Sequence, residues 1–181
     1  MLPTEILKHE HQLILMVLDA AEREARAMAG GAAVNADRLN AFVDFIRNFA
    51  DHCHHAKEED LLFVRMGEKG FPLQGGPVAV MLHEHELGRA HVKAVADNIA
   101  AAAAGVGDAR TVVVERLAAY ASLLRHHIHK EDHILFPMAD QIFNEADQAA
   151  LAADFERVER DEVGDGVHQR YEALARELAG G

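Results

Sequence analysis

The sequence has a single cysteine, no tryptophan, only four prolines and no long apolar run. One cysteine, Cys53, excludes an internal disulfide and fits a reducing compartment. No segment stays apolar over the roughly 20 residues that a membrane-spanning helix needs. The N-terminus lacks the basic and apolar regions of a signal peptide. These absences predict a cytoplasmic protein without a membrane segment.

Positive charge is also scarce, since 18 Lys and Arg face 30 Asp and Glu, for a formal net charge of −12. Surfaces that bind nucleic acid rely on Lys and Arg to contact phosphates, so we expect no nucleic-acid partner. Half of the 181 residues are hydrophobic, which is enough for a real core. Abundant alanine and few prolines favour helix over sheet.

Apolar residues recur at helical spacing, and glycines interrupt them at short loops. Helices are predicted at 3–30, from a cap at Asn35 or Asp37 to about 66, at about 77–104, and at about 109–136, where Pro137 should stop or kink the last one. Four such helices predict an all-α, up-down antiparallel four-helix bundle.

We place this bundle at residues 1–143 and a helical extension at 144–181. The extension has a weakly amphipathic stretch around Leu151, Phe155 and Val158, then a short helix at about 167–178. It is expected to pack on the bundle or to serve as a partner surface.

Histidine is plentiful, with thirteen copies, and it occurs in a repeated motif. Residues 54–63 and 127–136 both read H-x-x-x-E-[ED]-x-[LI]-L-F. In a helix, a residue and its fourth neighbour lie about 40° apart around the axis. Each copy therefore places an imidazole and a carboxylate on one helix face.

The first and third helices also match, because residues 9–11 and 83–85 both read H-E-H. Two helix pairs related by a pseudo-twofold axis would bring both halves of a site together. His55 with Glu59 is a second pair of the same spacing, but its equivalent is Ile128 with Asp132, so His54 with Glu58 is preferred. The candidate ligands are His11, His54, Glu58, His85, His127 and Glu131.

Buried imidazoles and carboxylates are costly unless a partner compensates them, and a metal ion does so. Four imidazoles and two shared carboxylates can hold two ions. Mixed nitrogen and oxygen donors suit iron, whereas structural zinc prefers thiolates. The other histidines and four neighbouring carboxylates are expected to be exposed or to make supporting hydrogen bonds. The histidines are His9, His52, His55, His83, His91, His126, His129, His133 and His168. The carboxylates are Glu10, Glu59, Glu84 and Asp132.

These motifs resemble the bacterial hemerythrin-like, or HHE cation-binding, proteins. The matching segments are 7–11, 54–63, 81–89 and 127–137. The resemblance implies a four-helix bundle around a non-haem di-iron centre with a bridging oxygen species, held by the six candidate ligands. The animal oxygen carriers have a second histidine in the third helix, whereas Met81 and Arg89 stand at the corresponding places here. A more open coordination position is therefore expected.

The leading hypothesis is a di-iron protein that binds O2 or a related small oxidant, as a carrier or a sensor. One rival is a di-iron redox enzyme acting on peroxide or nitric oxide. Another is a regulatory module in which the metal controls the C-terminal helices around Phe155 and Tyr171. A ferritin-like iron oxidase is disfavoured because that site uses Glu-x-x-His and more carboxylates. The sequence does not fix the oligomeric state.

Overall fold

A computed structural model describes residues 1–160, 164 and 166–180, and in this described part the regular secondary structure is entirely helical, without a strand. The first helix, α1, is Pro3–Ala29. The second rod, α2, runs without a break over 36–68: α-helical at Ala36–Phe45, π-helical at Ile46–His55 and Glu58–Leu62, and α-helical again at Phe63–Glu68. The third helix, α3, is Gly76–Ala103.

The fourth rod, α4, covers 109–142: Ala109–Lys130, a π turn at Glu131–Leu135, and Phe136–Ile142. Two shorter helices follow, α5 at Glu145–Val158 and α6 at Val167–Gly180. Within the described residues, no helix is long and apolar enough to cross a membrane.

Contacts at the helix ends establish the antiparallel order. Arg110, at the start of α4, donates to the carbonyl of Met28 at the end of α1, at 2.6 Å. At the opposite ends, the Thr4 hydroxyl donates to Asp140, at 2.8 Å. The predicted all-α bundle with extra C-terminal helices is therefore confirmed.

Helix α2 begins directly after Asn35, the first of the two caps that the sequence predicted. The Asn35 side chain accepts a hydrogen bond from the backbone N–H of Arg38, at 3.0 Å, and so satisfies one of the free donors of the first turn.

Pro137 was predicted to stop or kink the last helix, and the first alternative is wrong because α4 continues to Ile142. Pro137 stands in the first turn of the segment that follows the π turn. The proline removes one backbone donor from the rod, but it lies where the winding changes from π to α, and the rod goes on.

Two apolar clusters fill the bundle. The larger contains Ile14, Phe42 and Leu124, and Tyr171 and Leu178 of α6 pack into it. The smaller surrounds Leu7, Leu62 and Phe136, together with Leu151 and Phe155 of α5. Both C-terminal helices thus bury apolar side chains against the bundle, and the candidate site lies between the two clusters.

Candidate metal centre

The six predicted ligands meet at one place in the interior, although they come from four helices. His11 lies on α1, His54 and Glu58 on α2, His85 on α3, and His127 and Glu131 on α4. None of them is more than 1% exposed. So much buried charge needs internal compensation.

Each carboxylate stands between two imidazoles from different helices. Glu58 has one oxygen 3.4 Å from His54 Nε2 and the other 3.5 Å from His85 Nε2. Glu131 has one oxygen 3.2 Å from His127 Nε2 and the other 3.3 Å from His11 Nε2. Both carboxylates therefore connect the same two halves of the site.

The donor atoms form two groups, within each of which all atoms lie inside 4.8 Å of one another. One group contains His11, His54, Glu58 and Glu131. The other contains His55, Glu58, His85 and His127. Two groups that share a carboxylate have the form of a site for two ions.

Several of these buried atoms lack hydrogen-bond partners among the residues that the structure describes. They are both oxygens of Glu58, both oxygens of Glu131, and His11 Nε2. Buried polar atoms in native proteins nearly always have a partner. A cation between the two carboxylates would satisfy them, so the donor set fits a metal centre.

Four further carboxylates hold the outer nitrogens of the imidazoles. His11 Nδ1 donates to Asp132 at 2.7 Å, and His85 Nδ1 donates to Glu59 at 2.6 Å. His54 Nδ1 donates to Glu10 at 2.8 Å, and His127 Nδ1 donates to Glu84 at 2.9 Å. These bonds fix each ring with Nε2 directed inward, as in carboxylate–histidine–metal arrangements.

The supporting bonds obey the internal repeat of the sequence. Glu10 and Glu84 occupy equivalent positions of α1 and α3, as Glu59 and Asp132 do in α2 and α4. The rings of Phe136 and Phe63 likewise stack beside His11 and His85, at centroid distances of 5.5 and 6.3 Å. The contacts around the site therefore follow the repeat from which the pseudo-twofold relation was predicted.

The π turns explain why neighbouring residues can serve one site. A π turn bonds each N–H to the carbonyl five residues earlier, so successive residues are separated by a smaller angle than in an α-helix. Glu58 and Glu59 begin one such turn, and Glu131 and Asp132 begin another. In each pair, one carboxylate faces the centre and the other supports a histidine of a neighbouring helix.

The electrostatics favour charged groups in spite of burial. Burial acts to lower the pKa of His54, but the charge of Glu58 and the bond to Glu10 raise it to about 10. Burial acts against His127 in the same way, and Glu131 raises its pKa to about 10. Burial would raise the pKa of Glu131, yet His127 and His11 hold it well below the usual range.

His55 was expected to be exposed or to make a supporting hydrogen bond, and the structure buries it beside the centre. Its side chain is buried, and its ring stacks on that of His85 at a centroid distance of 3.9 Å. His55 Nδ1 lies 3.4 Å from Asp51, which repeats the carboxylate contact of the other four imidazoles. The H-x-x-x-E spacing of His55 and Glu59 was the available signal.

The other histidines that were not predicted to be ligands are exposed or only partly buried. His126 and His133 donate to backbone carbonyls of their own helix. Arg89 forms ion pairs at the edge of the bundle, with Asp51 at 2.7 Å and Glu59 at 2.8 Å. Cys53 points away from the centre and donates to Glu159 of the C-terminal extension, at 3.4 Å.

Comparison with known proteins agrees with this geometry. The family profile of the Hemerythrin HHE cation binding domain matches residues 2–139. Uncharacterized proteins of Mycobacterium bovis and Mycobacterium tuberculosis are 26% identical over 165 residues, which cover 91% of this chain. The chain spans 64% of the length of these curated relatives. No solved structure gives a significant match. On the match over residues 2–139, the chain belongs to the Hemerythrin HHE cation-binding family.

Proposed function

We propose that the chain holds two iron ions between Glu58 and Glu131 and binds O2 or a related small oxidant there. The observation that carries the proposal is the position of these two carboxylates, which are buried, lack hydrogen-bond partners among the described residues, and each stand between imidazoles of both donor groups. His11 and His54 would serve one ion, and His85 and His127 the other.

The donor chemistry supports iron. Imidazoles with carboxylates suit iron, and the single cysteine offers no thiolate cage for structural zinc. An iron pair bound here supplies redox chemistry toward small oxidants. The protein orients the imidazoles through Glu10, Glu59, Glu84 and Asp132, and the two apolar clusters limit the access of water.

Metal analysis of anaerobically purified protein tests the proposal, followed by optical spectra on adding O2. We expect about two irons per chain, by the donor count, and a lasting spectral change with O2. His54→Ala and Glu131→Ala should lower bound iron far below the parent, whereas His83→Ala, at an exposed position, should leave it nearly intact. Equal loss in all three variants would contradict the ligand assignment.

A second candidate function is consumption of peroxide, and a cavity beside His85 favours it. The cavity has room for a small molecule, and its lining includes Asp51 and Arg89, which suit a polar oxidant such as peroxide better than apolar O2. Steady-state loss of peroxide with iron-loaded protein would identify the enzyme. A persistent oxygenated spectrum without turnover would identify the carrier.

A further inference from the structure

A cavity of about 120 Å³ lies beside the half of the site that contains His85. Its inner wall includes His55, His85 and Tyr120, which are at most 5% exposed. Asp51 and Arg89 also line it, and their side chains keep 29% and 34% of their surface exposed. The cavity therefore extends from the bundle surface to an imidazole of the candidate centre.

The cavity exists because two successive residues of α3 leave the space free. Gly88 has no side chain, and a Cβ there would lie 3.4 Å from the ring of Tyr120. Arg89 turns to the bundle edge, where it binds Asp51, Glu59 and Glu86. A larger residue at 88, or an inward one at 89, would reduce this space.

Tyr120 brings an unused hydrogen-bonding group to the cavity wall. Its side chain is 2% exposed, and its hydroxyl has no hydrogen-bond partner in the described part of the chain. Leaving a buried hydroxyl unpaired is unfavourable, and a group left in this state calls for an explanation. A ligand that enters and leaves the cavity would be its partner.

We propose that this cavity receives the exogenous ligand of the centre and that the Tyr120 hydroxyl donates a hydrogen bond to the ligand's outer atom. The space admits a molecule the size of a few waters, which excludes large substrates. The chemical class is a small oxidant or anion with a hydrogen-bond acceptor at its free end, such as peroxide. This inference rests on the proposed iron centre and adds Tyr120 as a residue that contacts its ligand.

Azide is a suitable probe, because it is small and has an acceptor atom at each end. Optical titration of the ferric, iron-loaded protein with azide should give a Kd about three- to tenfold weaker for Tyr120→Phe than for the parent, the effect of one hydrogen bond. Tyr171→Phe is the matched control, since Tyr171 is the other tyrosine and packs against Phe45 and Phe49. It should leave the azide Kd unchanged.

Two measurements separate binding from folding. Metal-free Tyr120→Phe should melt at or above the temperature of the metal-free parent, because the lost hydroxyl had no partner within the protein. Gly88→Ala should bind azide more weakly, because its methyl group would lie 3.4 Å from the Tyr120 ring and restrict that ring where both residues line the cavity. Alanine favours a helix interior by about 1 kcal/mol over glycine, so this variant should fold.

The outcomes distinguish the two proposals. Failure of the parent to take up iron would refute the proposed function, and this inference with it. Normal iron uptake with the same azide Kd in Tyr120→Phe would refute only the inference. A lower melting temperature of metal-free Tyr120→Phe would also refute it, since the hydroxyl would then have a structural partner.

Discussion

At the scale of single residues, the centre depends on carboxylates that do not point into it. Glu84 illustrates this role, because it accepts a hydrogen bond from His127 Nδ1 and forms an ion pair with Lys130. The hydrogen bond from His127 lowers the pKa of Glu84 below its ordinary value, although partial burial acts to raise that pKa. Glu84 therefore stays negative and holds the ring in one orientation.

Glu84→Gln should weaken iron binding by about 10- to 100-fold, the usual cost of losing a partner behind a metal-binding histidine. Competition with a chelator measures the affinity. Glu115→Gln is the control, because it removes the same charge from an exposed position. Equal affinity in both variants would show that the bond to His127 does not support metal binding.

The lysines of the repeat provide a second comparison. Lys57 is fully buried between Glu10 and Glu159, with Nζ 2.5 Å from Glu10. Its equivalent, Lys130, pairs with Glu84 but keeps 34% of its side chain exposed. The difference arises because Glu159 of the C-terminal extension covers only the first lysine.

Lys57→Met should destabilise the metal-free protein by about 3 kcal/mol, since the buried Glu10 loses its lysine and keeps only the bond from His54. We take the lower end of the range for buried pairs because Glu159 is 30% exposed. Lys130→Met should cost no more than about 1 kcal/mol. Chemical denaturation gives both values, and similar losses would contradict the role of the extension.

The repeat allowed the six candidate ligands to be predicted, because matched H-x-x-x-E pairs and matched single histidines reinforce one another. His55 has no histidine at its repeat position, Ile128, so the same reasoning placed it lower. The π turn that ends at His55 brings it inside beside His54. The sequence prediction assumed α-helical spacing of side chains, so it could not include the effect of this π turn on the direction of His55.

At the scale of helices, the sequence predicted where the rods begin more reliably than how they are wound. The Asn35 cap and the glycine loops are local signals, and they produced correct starts for α2 and α3. The π turns in α2 and α4 depend on packing around the centre, for which the sequence has no comparable signal. The continuation through Pro137 follows from one of these turns.

The attachment of α6 should depend on pH through His168. The contact with Glu159, at 3.8 Å, raises the pKa of His168 in spite of partial burial, and Glu10 raises it further while Lys57 lowers it. Burial opposes ionisation of Glu159, but its bonds to His168 and Lys57 lower its pKa to about 2, so it stays negative above that pH. His168 therefore stabilises the attachment when protonated.

A histidine whose pKa is raised by folding stabilises the folded state fully below its pKa in the unfolded chain, about 6.5. This stabilisation is lost as the pH rises through the pKa of His168 in the folded protein. Amide hydrogen exchange across 167–180, corrected for intrinsic rates, should show stronger protection at about pH 6 than at about pH 8. His168→Gln should abolish the difference. Protection that does not change with pH in the parent would contradict this role.

At the scale of the whole molecule, the centre lies between two apolar clusters. Each of the four bundle rods contributes at least one side chain to it. The sequence predicted this arrangement through its repeat, whereas the contact of Lys57 with Glu159 joins residues 102 positions apart and had no local signal. A ligand that binds all four rods at once must stabilise the bundle as a unit.

Iron should therefore raise the melting temperature of the whole protein. At a free metal concentration 100 times the Kd, binding to the folded state adds about 2.7 kcal/mol. For a chain of this length, that corresponds to about 5–11 °C. Calorimetry of loaded and chelator-treated protein measures the shift, with His83→Ala as the variant that should retain it and His54→Ala as the variant that should lose most of it. An equal shift in both variants would place the metal outside the four-rod centre, because His54 contacts Glu58 there, whereas His83 is exposed.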